Sequence, residues 1–170
     1  MKAEDLKKLQ SPLKMQYRDD PGSAVVTLRA NGRISEGVAC KVETGQAIAE
    51  AGLHPASGGD GSQLCSGDML LEALVACAGV TLRAVATALE VDLKDAKVTA
   101  EGDLDFRGTL AVAKDAPVGL RDIRLNFELE TDAADETVAK LIELTERYCV
   151  VLQTIRQSPE IAVNTQALAG

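Results

Sequence analysis

Four cysteines and one histidine are the side chains of this sequence best suited to reactive chemistry. The cysteines are Cys40, Cys65, Cys77 and Cys149, and the histidine is His54. No two cysteines form a Cys-x-x-Cys pair, so the clustered ligands of a structural zinc site are not expected. Scattered thiols of this kind are either inert core residues or redox-active groups. Their spacing alone leaves both interpretations open.

Composition narrows the classes of function. A net charge of −8 and a pI of about 4.7 disfavour binding to a phosphate backbone or an anionic membrane surface. Aromatic residues, on which bases could stack, make up 2% of the chain. The first residues mix charges without an apolar segment, and the longest apolar window, 69–80, is shorter than the roughly 20 residues that span a bilayer. We therefore expect a cytoplasmic protein that binds neither nucleic acid nor membrane.

The elements that must position the thiols follow from periodicity and turn residues. Residues 1–22 are predicted to form a charged N-terminal arm or a short helix that ends near Pro12. The domain at 23–170 is predicted to hold two halves, each with strands and one helix that bears a cysteine. The predicted strands are 24–30, 37–44, 96–112, 119–132 and 158–166, with a turn at Asn31-Gly32-Arg33. The predicted helices are 69–89 and a second from Asp135 to about Ile155, bent or straight. This order indicates the α+β class.

The first of these helices, 69–89, carries Cys77 near its middle. Ser66 is a suitable N-cap, and Asp68 lies in the first turn, where a negative charge complements the helix dipole. The helix is apolar on nearly all sides until Arg83, which predicts that both of its faces are buried in protein. Cys77 lies too deep in the helix for the dipole to activate its thiol, so an activating group must come from elsewhere.

Two segments carry a resemblance to a known family. The stretch CSGDMLLEALVACAGVTLRAVA, with a second cysteine 72 residues after Cys77 in ERYCVVLQTIRQSPEI, resembles the OsmC/Ohr family of osmotically inducible and organic hydroperoxide resistance proteins. The resemblance extends from about residue 25 to residue 163 and leaves out the N-terminal arm. It implies the OsmC-like fold, an intertwined homodimer with two central helices buried beneath its sheets.

The resemblance also implies a chemistry. Cys77 would attack a peroxide and become a sulfenic acid, and Cys149 would resolve it as a disulfide that a dithiol, often lipoyl-bearing, reopens. The arginine of the site corresponds best to Arg33 in ANGRIS, with Arg29 as the alternative, unless Arg33 is only a solvated turn charge. Asp68 is the candidate carboxylate, or simply an N-terminal helix charge. Cys65 is an alternative resolving thiol.

The sequence thus predicts a peroxidase for organic hydroperoxides in oxidative-stress defence. Apolar surroundings of Cys77 favour an alkyl or lipid substrate over hydrogen peroxide. The expected partners are a second copy, a dithiol reductant and a small organic hydroperoxide, with no metal and no tightly bound cofactor. Val150 stands where the family usually has proline after the second cysteine. The alternative is a non-catalytic OsmC-like protein that binds a small hydrophobic or acyl ligand or an electrophile.

Overall fold

A computed structural model of the chain describes residues 2–19, 31–35, 39–43, 48–111 and 113–167. Its helices are α1 (Ala3–Asp19), α2 (Ser66–Ala88), α3 (Phe106–Thr109), α4 (Asp135–Tyr148) and α5 (Val150–Arg156). Its strands are β1 (Asn31–Ser35), β2 (Ala39–Glu43), β3 (Ile48–Gly52), β4 (Leu64–Cys65), β5 (Asp95–Asp103) and β6 (Arg121–Glu130).

The described strands form two separate sheets, and each sheet is followed by a helical segment that contains a cysteine. The first sheet has the order β1-β2-β3-β4, antiparallel except for the parallel β3–β4 pair, and leads into α2. The second is the antiparallel pair β5–β6, which leads into α4 and α5. The predicted α+β class with two strand-helix halves is therefore confirmed.

Helix α2 is the central element of the core. Leu74, Ala78, Leu82 and Ala86 recur every four residues and form its buried stripe. This stripe packs against β5, α4 and α5. Asp68 lies in the first turn as predicted, whereas the N-cap is Cys65 and not Ser66, which is the first helical residue. Cap positions shift easily by one residue, because helix ends are weakly specified by sequence.

The second face of α2 stays uncovered within one chain. Val80 is 73% exposed and Leu70 is 43% exposed, although the helix is apolar on both faces. By length and hydropathy alone α2 passes the test for a membrane-spanning helix, with 22% of its most apolar window buried in the protein. Core helices of soluble proteins pass the same test. Within one described chain, the prediction that both faces of α2 are buried therefore holds for one of the two faces.

The β5–β6 hairpin confirms the alternation predicted for the second long strand. Val98 pairs with Phe127, and apolar side chains along β6 face the core while charged ones face outward. The other predicted strand, 96–112, was too long because β5 ends at Asp103. The carboxylate of Asp105 accepts a hydrogen bond from the backbone N–H of Arg107 at 3.1 Å and caps α3 instead.

Three further predictions need correction. Asn31, Gly32 and Arg33 form no turn; they lie inside β1, where Gly32 pairs with Val42, because sheet pairing overrides the turn preference of Asn-Gly. Helix α1 does not end near Pro12 as predicted; it continues through Pro12 to Asp19 and packs against α2. Residues 158–166 form no strand and are exposed, since no strand of the described chain pairs with them. The predicted strand 24–30 lies outside the described residues.

Candidate active site

Among the cysteines whose side chains the structure describes, Cys77 and Cys149 lie together. Cys77 lies on α2 and packs against a buried cluster to which Cys149 belongs, together with Leu74, Ala78 and Leu152. Cys149 is completely buried and Cys77 is partly accessible. Both are free thiols. The pair therefore joins one cysteine from each half of the fold.

Cys149 occupies the break between α4 and α5. Its backbone is extended, with φ −72° and ψ 105°, so it ends one helix and begins the next. Its N–H donates to the carbonyl of Thr145 at 3.0 Å, and its carbonyl accepts from the N–H of Gln153 at 3.0 Å. The sequence allowed for a bend in this helix, and the structure places the bend at the cysteine itself.

The surroundings of Cys77 favour its thiolate. Burial raises the pKa of the Cys77 thiol, but hydrogen bonds outweigh this effect and hold the pKa below its usual range. The donors, in decreasing order of effect, are the N–H of Val151, the thiol of Cys149, the N–H of Val150 and the hydroxyl of Thr81. In the part of the chain that the structure describes, these hydrogen bonds set the direction of the shift, with no cation involved.

The pKa of the Cys149 thiol is shifted in the opposite direction, upward. Burial is the main cause that raises the pKa of the Cys149 thiol, and the hydrogen bond that it donates to Cys77 raises the pKa further. The N–H groups of Leu152 and Val151 offset part of this effect. When the pair loses its first proton, the thiolate therefore forms on Cys77 and the thiol stays on Cys149. This arrangement suits a nucleophile beside a second thiol that reacts later.

Alkylation at varied pH tests whether Cys77 has the lower pKa of the two thiols and Cys149 the higher. We expect the midpoint of iodoacetamide labelling to lie below the usual thiol value for Cys77 and above it for Cys149, because the thiolate is the reacting form. Replacing Cys149 by alanine should raise the midpoint of Cys77, since a donor to its sulfur is lost. Cys65→Ala is the matched control and should leave that midpoint unchanged. Labelling of each peptide is followed by mass spectrometry, and equal midpoints for both thiols would contradict the assignment.

Of the other two predicted site residues, Asp68 does not lie beside the thiols of its own chain, and the side chain of Arg33 lies outside the described part of the structure. Asp68 is exposed and precedes Cys77 by nine residues on α2, about 13 Å along the axis and on the opposite side of the helix. The backbone of Arg33 lies in β1 opposite Lys41, and its side chain is outside the described part of the structure. The catalytic roles of Asp68 and Arg33 stay predictions.

Cys65 is separated from Cys77 by the rigid first half of α2. At a rise of about 1.5 Å per residue, the two Cα atoms are about 18 Å apart along the axis, whereas a disulfide requires roughly 4.4–6.8 Å. Within one chain Cys65 therefore cannot resolve a sulfenic acid on Cys77 while α2 is intact.

Sequence reasoning missed the groups that activate Cys77. The backbone donors of Val150 and Val151 carry no side-chain signal, and they point at the sulfur because the helix breaks at Cys149. Thr81 was within reach of sequence reasoning, because a residue four positions after Cys77 shares its face of a helix. The Thr81 hydroxyl has a single proton, which is placed to donate to the carbonyl of Cys77 at 2.8 Å, so donation to the sulfur is an alternative to this bond.

The chain is thus an α+β protein with a paired-thiol site. Each of its two strand-helix halves contributes one cysteine to a shared core. The model of the family described as OsmC-like protein matches residues 59–164, and the chain belongs to this family. No curated protein sequence matches the chain significantly. The resemblance seen in the sequence is thereby confirmed.

Several solved structures share the fold of this chain. An OsmC-like protein from Mycoplasma pneumoniae superposes with a TM-score of 0.66 at 16% identity, over 78% of this chain and 89% of the other. An organic hydroperoxide resistance protein from Elizabethkingia anophelis gives 0.63 at 16% identity, over 79% and 91%. A third, an organic hydroperoxide resistance protein from Legionella pneumophila, gives 0.55 at 18% identity, over 78% and 91%. At these identities the likeness establishes the fold.

Proposed function

We propose that the protein is a cytoplasmic thiol peroxidase that reduces organic hydroperoxides in defence against oxidative stress. One observation carries the proposal: two free thiols from the two halves of the fold lie in one cluster, with their pKa values shifted in opposite directions. Family membership, and neighbours of the same fold that are organic hydroperoxide resistance proteins, agree with it.

The first step is attack of the Cys77 thiolate on the terminal oxygen of the hydroperoxide. A sulfur–oxygen bond forms and the oxygen–oxygen bond breaks, so Cys77 is oxidised to a sulfenic acid and the peroxide is reduced to an alcohol that takes up a proton. The N–H groups of Val150 and Val151 stabilise the thiolate before the attack.

In the second step the Cys149 sulfur attacks the sulfur of the sulfenic acid. Cys149 gives up its proton, a disulfide forms with Cys77, and water leaves. Because Cys77 packs against the buried cluster that contains Cys149, little movement is needed. An external dithiol such as a lipoyl group then reduces the disulfide and becomes oxidised itself, which returns both cysteines to thiols.

A second copy of the chain would complete the site. The exposed face of α2 holds Ala73, Ala76 and Val80, an apolar stripe next to Cys77 that one chain leaves open. Covering it would bury apolar area and form a pocket for an alkyl tail, which favours organic over inorganic peroxide. Asp68 is too far from the Cys77 of its own chain, so we expect it to serve the site of the second copy.

Replacing Val80 by aspartate tests the dimer. We expect the wild-type chain to sediment at twice its monomer mass of 17.9 kDa and the Val80→Asp variant at the monomer mass, because a carboxylate buried in the interface without a partner is costly. The control is Val118→Asp, the same substitution in a loop. Within one chain Val118 is 64% exposed and Val80 is 73% exposed, so the two sites are comparable. We expect the Val118→Asp variant to stay dimeric. A monomeric wild type, or a dimeric Val80→Asp variant, would refute this interface.

The proposed activity is tested with a panel of peroxides. We expect consumption of cumene and fatty-acid hydroperoxides with dihydrolipoamide as reductant, and slower consumption of hydrogen peroxide, for which burial of an apolar tail contributes nothing. Thioredoxin serves as the comparison reductant. If none of the peroxides is consumed with either reductant, the peroxidase proposal fails, and a binding protein for a small apolar or electrophilic ligand becomes the better explanation.

A further inference from the structure

The break at Cys149 redirects backbone hydrogen bonds. In an uninterrupted helix the N–H of Val150 would donate to the carbonyl of Glu146, four residues earlier. Here that hydrogen bond does not form, and the N–H of Val150 lies close enough to the sulfur of Cys77 to lower the pKa of that thiol. The side chain of Gln153 takes the vacated place, since its Nε2 donates to the carbonyl oxygen of Glu146 at 2.8 Å.

Gln153 is therefore bonded on both sides of Cys149. Its backbone N–H donates to the Cys149 carbonyl at 3.0 Å, which fixes it to the first turn of α5. Its partly buried side chain reaches back seven residues to the last turn of α4. An ion pair between Arg156 and Glu146 at 2.8 Å runs parallel to this link, but both side chains are substantially exposed, which makes it the weaker one.

We propose that Gln153 is a positioning residue that holds the angle between α4 and α5 and thereby keeps the Cys149 sulfur against Cys77. Without the Gln153 side chain the Glu146 carbonyl loses its partner, and α5 is free to pivot about the extended backbone of Cys149. Disulfide geometry is narrow, so a small pivot lowers the fraction of molecules in which the two sulfurs can join. This inference goes beyond the proposed function, which assigns Gln153 no role, and it rests on the same pair of thiols.

A positioning role differs measurably from a simple stabilising role. A cap that only stabilises the fold changes the free energy of unfolding and leaves the reduced and oxidised thiol pair in the same balance. A residue that positions Cys149 changes how readily the disulfide with Cys77 closes. The relevant reaction is exchange with glutathione, in which the protein dithiol and oxidised glutathione give the protein disulfide and two reduced glutathione molecules.

The test compares Gln153→Glu with Gln157→Glu in the full-length protein. Glutamate has nearly the shape of glutamine but cannot donate to the Glu146 carbonyl, and the exposed Gln157 at the end of α5 provides the same chemical change elsewhere. Each variant is equilibrated with glutathione mixtures, and the Cys77–Cys149 disulfide is quantified by mass spectrometry. Circular dichroism verifies the fold, and Gln153→Ala repeats the measurement without a new charge.

We expect the equilibrium constant for closing the disulfide to fall about tenfold in Gln153→Glu and in Gln153→Ala, the size of effect expected for one lost hydrogen bond. Gln157→Glu should match the wild type, and Gln153→Lys, which restores a donor, should recover most of the loss. A constant unchanged in both donor-free variants overturns the proposal. A wild type that consumes no hydroperoxide but closes the disulfide in a Gln153-dependent manner would refute the peroxidase and support the positioning role.

Discussion

Replacing Cys77 by serine is expected to lower the rate of hydroperoxide consumption at least about 10³-fold, as is typical when a covalent nucleophile is lost. Serine keeps the size of the side chain but does not ionise near neutral pH, so the hydrogen bonds from Val150 and Val151 have no thiolate to stabilise. The measurement is the initial rate with cumene hydroperoxide and excess dihydrolipoamide.

Cys149→Ser gives the complementary result. This variant should consume about one equivalent of hydroperoxide per chain and then stop or slow, because the sulfenic acid forms on Cys77 but cannot close to a disulfide. Cys65→Ser should turn over like the wild type, since α2 separates Cys65 from Cys77. Equal rates for wild type and Cys77→Ser would exclude Cys77 as the nucleophile.

Replacing Leu74 by alanine is expected to lower the free energy of unfolding by about 2–5 kcal/mol. Leu74 is fully buried and lies in the cluster that contains Cys149, beside a cavity of about 180 Å³ beneath α5. Alanine would enlarge that cavity and remove contacts with the β6 residues that also line it, Ile123, Leu125 and Phe127. Urea unfolding at one protein concentration measures the change.

The matched control for this change is Leu110→Ala. Leu110 is 51% exposed at the end of α3, so the same truncation removes little buried area and should cost under about 0.5 kcal/mol. Both variants are compared at equal protein concentration, because association would couple stability to concentration. Similar losses for Leu74→Ala and Leu110→Ala would contradict the core described above.

Sequence periodicity was reliable where one pattern ran through many residues. The apolar spacing of α2 and the alternation of β6 each span ten residues or more, and the structure confirms both. Short signals were less reliable. The turn preference of Asn31-Gly32 yielded to pairing with β2, and Asp105 capped a helical turn inside a predicted strand. In each case a contact with a distant or adjacent residue decided between local conformations of similar energy.

The two thiols of the site could be predicted from the sequence, but the groups that lower the pKa of Cys77 could not. Cys77 and Cys149 were singled out by resemblance to a family, because two cysteines 72 residues apart give no local signal of contact. The donors to the Cys77 sulfur are backbone groups of Val150 and Val151, whose direction depends on the break at Cys149. Proline at position 150, usual in the family, would lack an N–H. Val150 therefore supplies a donor that the proline would not.

We propose above that Cys77 and Cys149 form the reactive pair. The most direct test is to treat the reduced protein with one equivalent of an organic hydroperoxide, quench with an alkylating agent, and map the peptides without reduction. We expect a disulfide between Cys77 and Cys149 within one chain, with Cys40 and Cys65 recovered as alkylated thiols. Oxidation confined to Cys40 or Cys65, or a fully alkylated Cys77 after the peroxide is consumed, would contradict it.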